Sequence, residues 1–331
     1  MPPPFVEVGL AHHSWTEIGA SDWLVRQLRF GLQLPWKRKP PKSGRIPLYN
    51  LSPADLGFAC GEVLRWMTAG YCRRASPIDL LDIRQRGRVS PAFVTTAARK
   101  SRLVIDYSVV NECLENRTFR MDQLSDLAQS LRRDDCLFKA DIQDAYYHLR
   151  LRKEDQLYLS FSVDGVVYVP ACLNCGLAVA PWFFTKAMRP VVSFLRARGH
   201  RVFSYLDDFF GAGATARNDH PATESDTHRI GRDIHDLFRR LGLTLHPTKS
   251  HFEGSRALEI LGILVDTRRA RYLLSPENLR KVESAARVLL SNASRNRRHV
   301  PARSLRSFAG LGNSTGLAVV DERLRLRELF D

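Results

Sequence analysis

The run Phe203-Ser204-Tyr205-Leu206-Asp207-Asp208-Phe209-Phe210-Gly211 constrains this chain more than any other stretch, because two adjacent carboxylates sit between two short aromatic and aliphatic runs. Strand-forming residues flank the acids and Gly211 follows them, which predicts strand, tight turn and strand with Asp207 and Asp208 at the tip. Neighbouring anions in a packed core are costly, so the turn must leave them hydrated or supply a counter-ion. Standing alone, the pair reads as an ordinary solvated acidic turn. A second acid changes its meaning. In Leu137-Phe138-Lys139-Ala140-Asp141 a short apolar run ends at a carboxylate, and a helix-compatible stretch follows. A strand ending in Asp141 can lie beside the hairpin. Three carboxylates converging there match the oxygen ligands that Mg²⁺ takes, the minimum for two-metal phosphoryl chemistry. Asp144 reads as a first-turn helix acid.

The formal charge of the 331 residues is +15, which implies a polyanionic partner, with phosphate backbones the first candidate. The excess is uneven: from residue 267 onward there are 14 Lys and Arg against 6 Asp and Glu, a basic face suited to duplex phosphates. No apolar stretch approaches the ~20 residues of a membrane span, and Met1-Pro2-Pro3-Pro4 lacks a signal-peptide core. The expectation is an intracellular protein of cytoplasm or nucleus with no membrane partner. Six cysteines show no regular framework, and Cys172-Leu173-Asn174-Cys175 lacks a second ligand pair at zinc-site spacing.

Along the chain, residues 1–51 read as an irregular extension, with Pro2 to Pro4 and the cluster Lys37-Arg38-Lys39-Pro40-Pro41-Lys42, which suits nuclear import, a phosphate contact or a solvated loop. Residues 52–86 read as helical, with Ser52-Pro53 as N-cap and first helical residue. From Val89 the period shortens to strands on either side of the basic connection Arg99-Lys100-Ser101-Arg102. Leu124, Leu127, Ala128 and Leu131 recur at helical spacing. Alternation up to Asp164-Gly165 predicts a hairpin with a primed turn, and Ile230 to Leu241 an amphipathic helix ending near Gly242. Pro190 predicts a kink or an early helix end.

Five blocks occur in a fixed order: Asp-x-x-x-Ala-Tyr from Asp141, Gly176-Leu177 with Ala180, Pro181 and Phe184, Tyr205-Leu206-Asp207-Asp208, Gly242-Leu243 with Leu245, Pro247 and Lys249, and Leu261-Gly262. In this order they resemble a reverse transcriptase over roughly residues 88–265. Tyr146-Tyr147-His148-Leu149-Arg150-Leu151 is similar to long-terminal-repeat retrotransposon enzymes. Phe30 to Trp36 ahead of Pro40-Pro41, with Gly312-Asn313-Ser314-Thr315, resembles the tyrosine-recombinase (DIRS-type) elements. The resemblance implies an α+β right-hand polymerase: a palm of antiparallel sheet backed by helices, fingers and a basic helical thumb. Its expected divisions are 52–135 (helical segment and fingers), 136–265 (palm, with fingers residues about 150–172 inserted) and 266–331 (thumb), without a ribonuclease H domain.

The resemblance also implies roles. Asp141, Asp207 and Asp208, with the carbonyl of Ile142, would hold two Mg²⁺ or Mn²⁺ ions, and Lys249 would stand near the leaving pyrophosphate. Arg102 and, as the nearest fingers lysine, Lys100 would meet the triphosphate of a dNTP; Asn111 follows at the expected interval. Tyr146 would be the ring against which a ribose 2′-hydroxyl clashes, while Gly176 and Cys175 would border the nucleotide. The chain departs from the family in carrying Leu173-Asn174-Cys175-Gly176 where Leu-Pro-Phe-Gly or Leu-Pro-Gln-Gly is usual. The implied function is RNA-directed DNA polymerisation on an RNA or DNA template with a primer, beside a separate ribonuclease H or a recombinase or integrase of the same element. Two alternatives stand beside it: an RNA-dependent RNA polymerase, against which Tyr146 argues, and a non-catalytic retroelement copy that only binds nucleic acid.

Overall fold

A computed structural model describes residues 3–43, 45–47, 51–97, 100–215, 220–295, 300–313, 315 and 318. The chain opens with helices α1 (Pro4–Leu10), α2 (His12–Glu17), α3 (Asp22–Phe30) and α4 (Pro53–Thr68), then β1 (Cys72–Arg74) and α5 (Pro77–Arg86). Strands β2 (Val89–Ala97) and β3 (Lys100–Ile105) precede α6 (Ser108–Glu112), α7 (Leu124–Ser130) and β4 (Leu137–Asp141). A 3₁₀ turn at Ala145–His148 leads to α8 (Lys153–Gln156), β5 (Ser160–Val163), β6 (Val166–Pro170) and α9 (Ala180–Ala197). Then come β7 (Arg201–Tyr205), β8 (Asp208–Ala212), α10 (Glu224–Leu241), β9 (His251–Ser255), β10 (Ala257–Ile260) and β11 (Ile263–Asp266). Strand β12 (Arg271–Leu274) and helices α11 (Pro276–Arg295) and α12 (Ala302–Asn313) complete the described elements.

The strands form three sheets, ordered β1-β6-β5-β2-β3, β7-β8-β4-β9 and β10-β11-β12. In the four-stranded sheet, consecutive side chains of β8 enter different cores, because successive residues of a strand face opposite ways. Phe209 packs edge-on against Phe238 of α10, centroids 5.3 Å apart, within the main core. Phe210 joins Leu137, Leu127 and Ile263 in a second core under α7 and the three-stranded sheet. That second face is graded. Leu137, Phe210 and Ala212 bury its far end, whereas Lys139, Asp141 and Asp208 occupy the end where covering elements stop. Asp135, wholly buried, anchors the far end by accepting two 2.7 Å hydrogen bonds from the Arg201 guanidinium.

Several sequence expectations are corrected here. Residues 4–30 are three short helices, not irregular chain: Trp15 is fully buried with its indole N–H donating to the Leu241 carbonyl at 3.2 Å, and Ser21 caps α3. Helices of six to nine residues carry little periodicity and are stabilised mainly by packing. Lys39, read as part of a free basic cluster, ion-pairs with buried Asp155 at 3.2 Å and lies over the Trp36 and Tyr158 rings. Residues 52–86 are interrupted by β1, which pairs with β6. Helix α9 continues past Pro190 to Ala197 rather than ending there. The boundary at 265/266 falls inside β11, whose partners β10 and β12 lie on either side of it.

Gly211 belongs inside β8 rather than marking the turn. At φ +149°, an added Cβ would fall on the Arg201 carbonyl oxygen of the neighbouring strand. Gly211→Ala is therefore expected to cost at least ~2 kcal/mol of unfolding free energy, through strain and overpacking that backbone cannot relieve. Urea unfolding followed by circular dichroism checks this, and a midpoint equal to wild type refutes it.

Candidate active site

The antiparallel register of β4 against β8 sets Asp141 directly opposite Asp208, and β7 sets Tyr205 opposite the same residue. Between β7 and β8 only Leu206 and Asp207 make the turn. Leu206 is held at φ +54°, a left-handed conformation that costs a non-glycine residue on the order of 1–3 kcal/mol and concentrates at functional sites. The tip is stitched down by the Ile142 amide, which donates to the Asp207 carbonyl at 3.0 Å. The amides of His246 and Gln143 bond the Asp141 and Thr244 carbonyls at 2.8 and 2.9 Å, so the loop carrying Lys249 lies against the end of β4. Buried His148 secures that loop: its Nε2 accepts from the Thr244 amide at 3.1 Å while Nδ1 faces the Ala145 carbonyl at 3.3 Å. Burial lowers its pKa to about 4, which keeps the imidazole neutral.

Two lysines face the acids. Lys249 Nζ lies 3.4 Å from Asp141, and Lys139, two residues earlier on the same strand face, lies 3.4 Å from Asp208 Oδ1. That oxygen is buried, and the Lys139 ammonium is its partner. Burial raises the pKa of Asp207 above the usual carboxylate range, Asp208 and Asp141 push it further, and Lys249 opposes them. Burial likewise raises Asp208, with Lys139 opposing and Asp141 adding to the shift. The Ile142 carbonyl accepts no hydrogen bond among the described residues. Buried and half-buried, repelling carboxylates, opposed by the two lysines, with a free carbonyl nearby form a donor set that divalent cations fit. No three side-chain ligands already converge on one point among the described residues.

A cleft of about 1170 Å³ gathers Arg102, Asp141, Ile142, Tyr146, Cys175, Gly176, Asp207 and Lys249 on its walls. Tyr146 stands edge-on to Phe184 of α9, centroids 5.6 Å apart. Gly176, at φ +96°, is clamped by Asn111, whose side-chain amide donates to the Gly176 carbonyl at 2.9 Å and accepts from the Ala178 amide at 2.8 Å. The Cys175 thiol is shifted up by burial and then by Asp207, with Arg102 opposing, and all three residues line the same cleft. Arg102 forms no ion pair among the described residues. Asn174, where the family carries proline, is fixed instead by donating to the buried Tyr107 hydroxyl at 3.2 Å, which itself donates to the Leu159 carbonyl at 3.0 Å. Asp208 stays outside the cleft lining, and the Lys100 side chain lies outside the described residues.

Sequence reasoning missed Lys139, His148 and the pair Arg65–Asp144. Lys139 was visible as the residue two before Asp141 on a strand face. Asp144 is left-handed at φ +51°, accepting from the Tyr71 hydroxyl at 3.0 Å and pairing with Arg65 at 3.5 Å, and it does not act as a helix first-turn acid.

Among solved structures, this fold matches the foamy viral protease-reverse transcriptase in complex with double-stranded DNA and with RNA/DNA hybrid, each at TM-score 0.64. Identities are 16% and 15%, with 96% of this chain and 54% and 42% of those chains covered. The architecture is thus that of a right-hand polymerase, with a palm sheet backed by helices. Residues 93–265, just over half of the chain, match the family model for reverse transcriptase (RNA-dependent DNA polymerase). The chain belongs to the reverse transcriptase family. Over 214 residues it is 21% identical to the Transposon Tf2-3 and Tf2-4 polyproteins of Schizosaccharomyces pombe, which matches it to retrotransposon members. That alignment covers 64% of this chain and 15% of each polyprotein's length. No helix among the described residues is long and apolar enough to cross a membrane.

The raised carboxyls have a thermodynamic consequence for the metal-free protein. A folded-state pKa above the unfolded one adds stability below the ordinary carboxylate pKa, about 3.9, and that stability is lost as pH rises through the raised value. Asp207→Asn is expected to raise the unfolding midpoint at neutral pH in EDTA, with the gain shrinking toward pH 4. Adding Mg²⁺ should raise the wild-type midpoint more than the variant's. Thermal scans across pH check both, and a variant less stable than wild type at neutral pH refutes the account.

Proposed function

We propose that this chain is an RNA-directed DNA polymerase that adds deoxynucleotides to a primer 3′-hydroxyl. The observation carrying the reading is the placement of Asp141 and Asp207 in one cleft with Arg102, Tyr146 and Gly176, while Asp208, outside the lining, sits opposite Asp141 in the strand register. When bound, two Mg²⁺ or Mn²⁺ ions would lower the hydroxyl pKa and stabilise the in-line transition state. Asp141 and Asp207 would hold them with the Ile142 carbonyl, and Asp208 would serve as the third acid. Arg102 would bind the β- and γ-phosphates, for which a planar fork suits better than a point charge. The Lys100 ammonium would add to that charge. Lys249, released from its pair with Asp141, would pass a proton to the departing pyrophosphate. Tyr146, its ring braced by Phe184, would support the sugar and exclude a 2′-hydroxyl, while Gly176 and Cys175 would border the base.

Residues 52–135 with 150–172 would act as fingers, the chain from 136 through β12 as palm, and the basic helices α11 and α12 as thumb on the duplex phosphates. The complexes of the foamy viral enzymes with double-stranded DNA and RNA/DNA hybrid support a template–primer duplex as partner. The polyprotein relatives support other domains in the same element, among which a separate ribonuclease H or a recombinase or integrase would be expected.

Primer extension on an RNA template with dNTPs and Mg²⁺ tests the reading. Asp141→Asn and Asp207→Asn should each lower extension by at least ~10³-fold, the scale of lost transition-state charge stabilisation, while duplex affinity stays near wild type. A wild type that extends no primer in Mg²⁺ or Mn²⁺ defeats it. Tyr146→Val should admit ribonucleotides, since the lost ring opens the volume a 2′-hydroxyl needs. Single-nucleotide insertion with rNTP and dNTP pairs measures this, and unchanged discrimination would make Tyr146 a packing residue only.

A further inference from the structure

A second cavity, of about 670 Å³, lies between α3 and the first half of α9. Trp182 and Phe184 are two residues apart on α9, about 200° around the helix. Phe184 therefore faces Tyr146 and the nucleotide cleft, while Trp182 faces this second cavity, about one helix diameter or ~10 Å away. Its aromatic wall is Trp23 of α3 with Trp182 and Phe183; Trp23 meets Trp182 edge-on at 5.7 Å and remains 39% exposed. Trp23 also lies near-parallel to Phe183, centroids 6.4 Å apart. The remaining charged lining is entirely cationic, namely Arg117, Lys186 and Arg189, with no carboxylate among the lining residues. Arg117 is paired with Glu115 and lies over the Trp182 ring at 5.3 Å; Lys186 lies over the same ring at 6.0 Å, and neither Lys186 nor Arg189 forms an ion pair among the described residues.

We propose that this cleft binds a single-stranded segment of nucleic acid, one unpaired base resting on the Trp23 ring and the adjoining phosphates meeting Lys186 and Arg189. Aromatic faces interleaved with unpaired cations suit bases and phosphates together. A duplex keeps its base faces inside its own stack, so only an unpaired base can use the Trp23 face. An acidic peptide would satisfy the cations and leave the indole idle. The cavity volume falls in the range of small-ligand pockets, roughly 300–1,000 Å³, which accommodates a nucleotide but not a double helix. The inference rests on the nucleic-acid reading above but needs no polymerase chemistry: the N-terminal helices would hold an unpaired strand one helix away from the growing end.

The test is fluorescence anisotropy of the full chain with a short labelled oligo(dT) and, separately, with a blunt-ended primer–template duplex. Trp23→Ala and the double variant Lys186→Glu/Arg189→Glu, exposed or half-exposed positions away from the acids, should each weaken oligo(dT) binding by at least about fivefold, the lower end of base-stacking effects. Blunt-duplex affinity and thermal midpoint should remain near wild type. Unchanged oligo(dT) affinity in both variants overturns the proposal, as does an equal loss for blunt duplex. Binding of a poly-glutamate peptide that competes with oligo(dT) and is insensitive to Trp23→Ala also overturns it. So does a wild-type dimer in light scattering that Trp23→Ala dissociates, because the occupant would then be a second copy. A chain that fails primer extension yet loses oligo(dT) affinity in both variants retains this site and loses only the catalytic reading.

Discussion

The antiparallel register of β4 against β8 is the constraint on which the cleft depends. A slip by one residue would turn every side chain of the slipped strand to the opposite face, putting Phe209 where Asp208 now stands and a carboxylate into the apolar core. The register is fixed because both faces of the sheet are specified: Phe138, Ala140 and Phe209 fill the main core, while Leu137, Phe210 and Ala212 fill the smaller one. Gly211 lets β7 approach β8 closely enough to complete the pairing. The far, apolar half of the sheet thus holds the near, charged half in place.

That arrangement concentrates electrostatic stress. Asp207 and Asp208 are partly withdrawn from water and repel each other and Asp141, so each resists ionisation. Lys139 and Lys249 offset part of the repulsion, although Lys249 is more than half exposed and its pair is screened by solvent. Backbone hydrogen bonds from Ile142 and His246 prevent the acids from relaxing apart, and Leu206 bears a left-handed turn to keep the tip tight. Packing and backbone bonding elsewhere sustain a local arrangement that is unfavourable without cations, and that preorganisation lets charge be stabilised without rearrangement during reaction.

The loop from Asn174 to Gly176 shows how a departure from a family pattern can be accommodated. Proline fixes its backbone covalently; Asn174 reaches a comparable restraint through a buried hydrogen bond to Tyr107, and Asn111 clamps Gly176 from the other side. Tyr107 and Asn111 lie far back in the chain, so nothing near Asn174 in sequence advertises the compensation.

What the sequence determined by itself was local: the strand ending at Asp141, the acidic hairpin at Asp207-Asp208, the primed turn at Asp164-Gly165 and the amphipathic helix ending near Gly242. Periodicity, turn chemistry and motif order act within a few residues and survive without knowledge of distant partners. The three N-terminal helices escaped such reading, because helices this short are stable only where Trp15, Leu24 and Leu28 find a core to enter. Lys139 beside Asp208, His148 beneath the Lys249 loop and the Asn111 clamp on Gly176 were decided by tertiary structure alone. Each joins residues separated by tens of positions, and a side chain's partner across such a distance is set by strand pairing and packing, which no local pattern encodes.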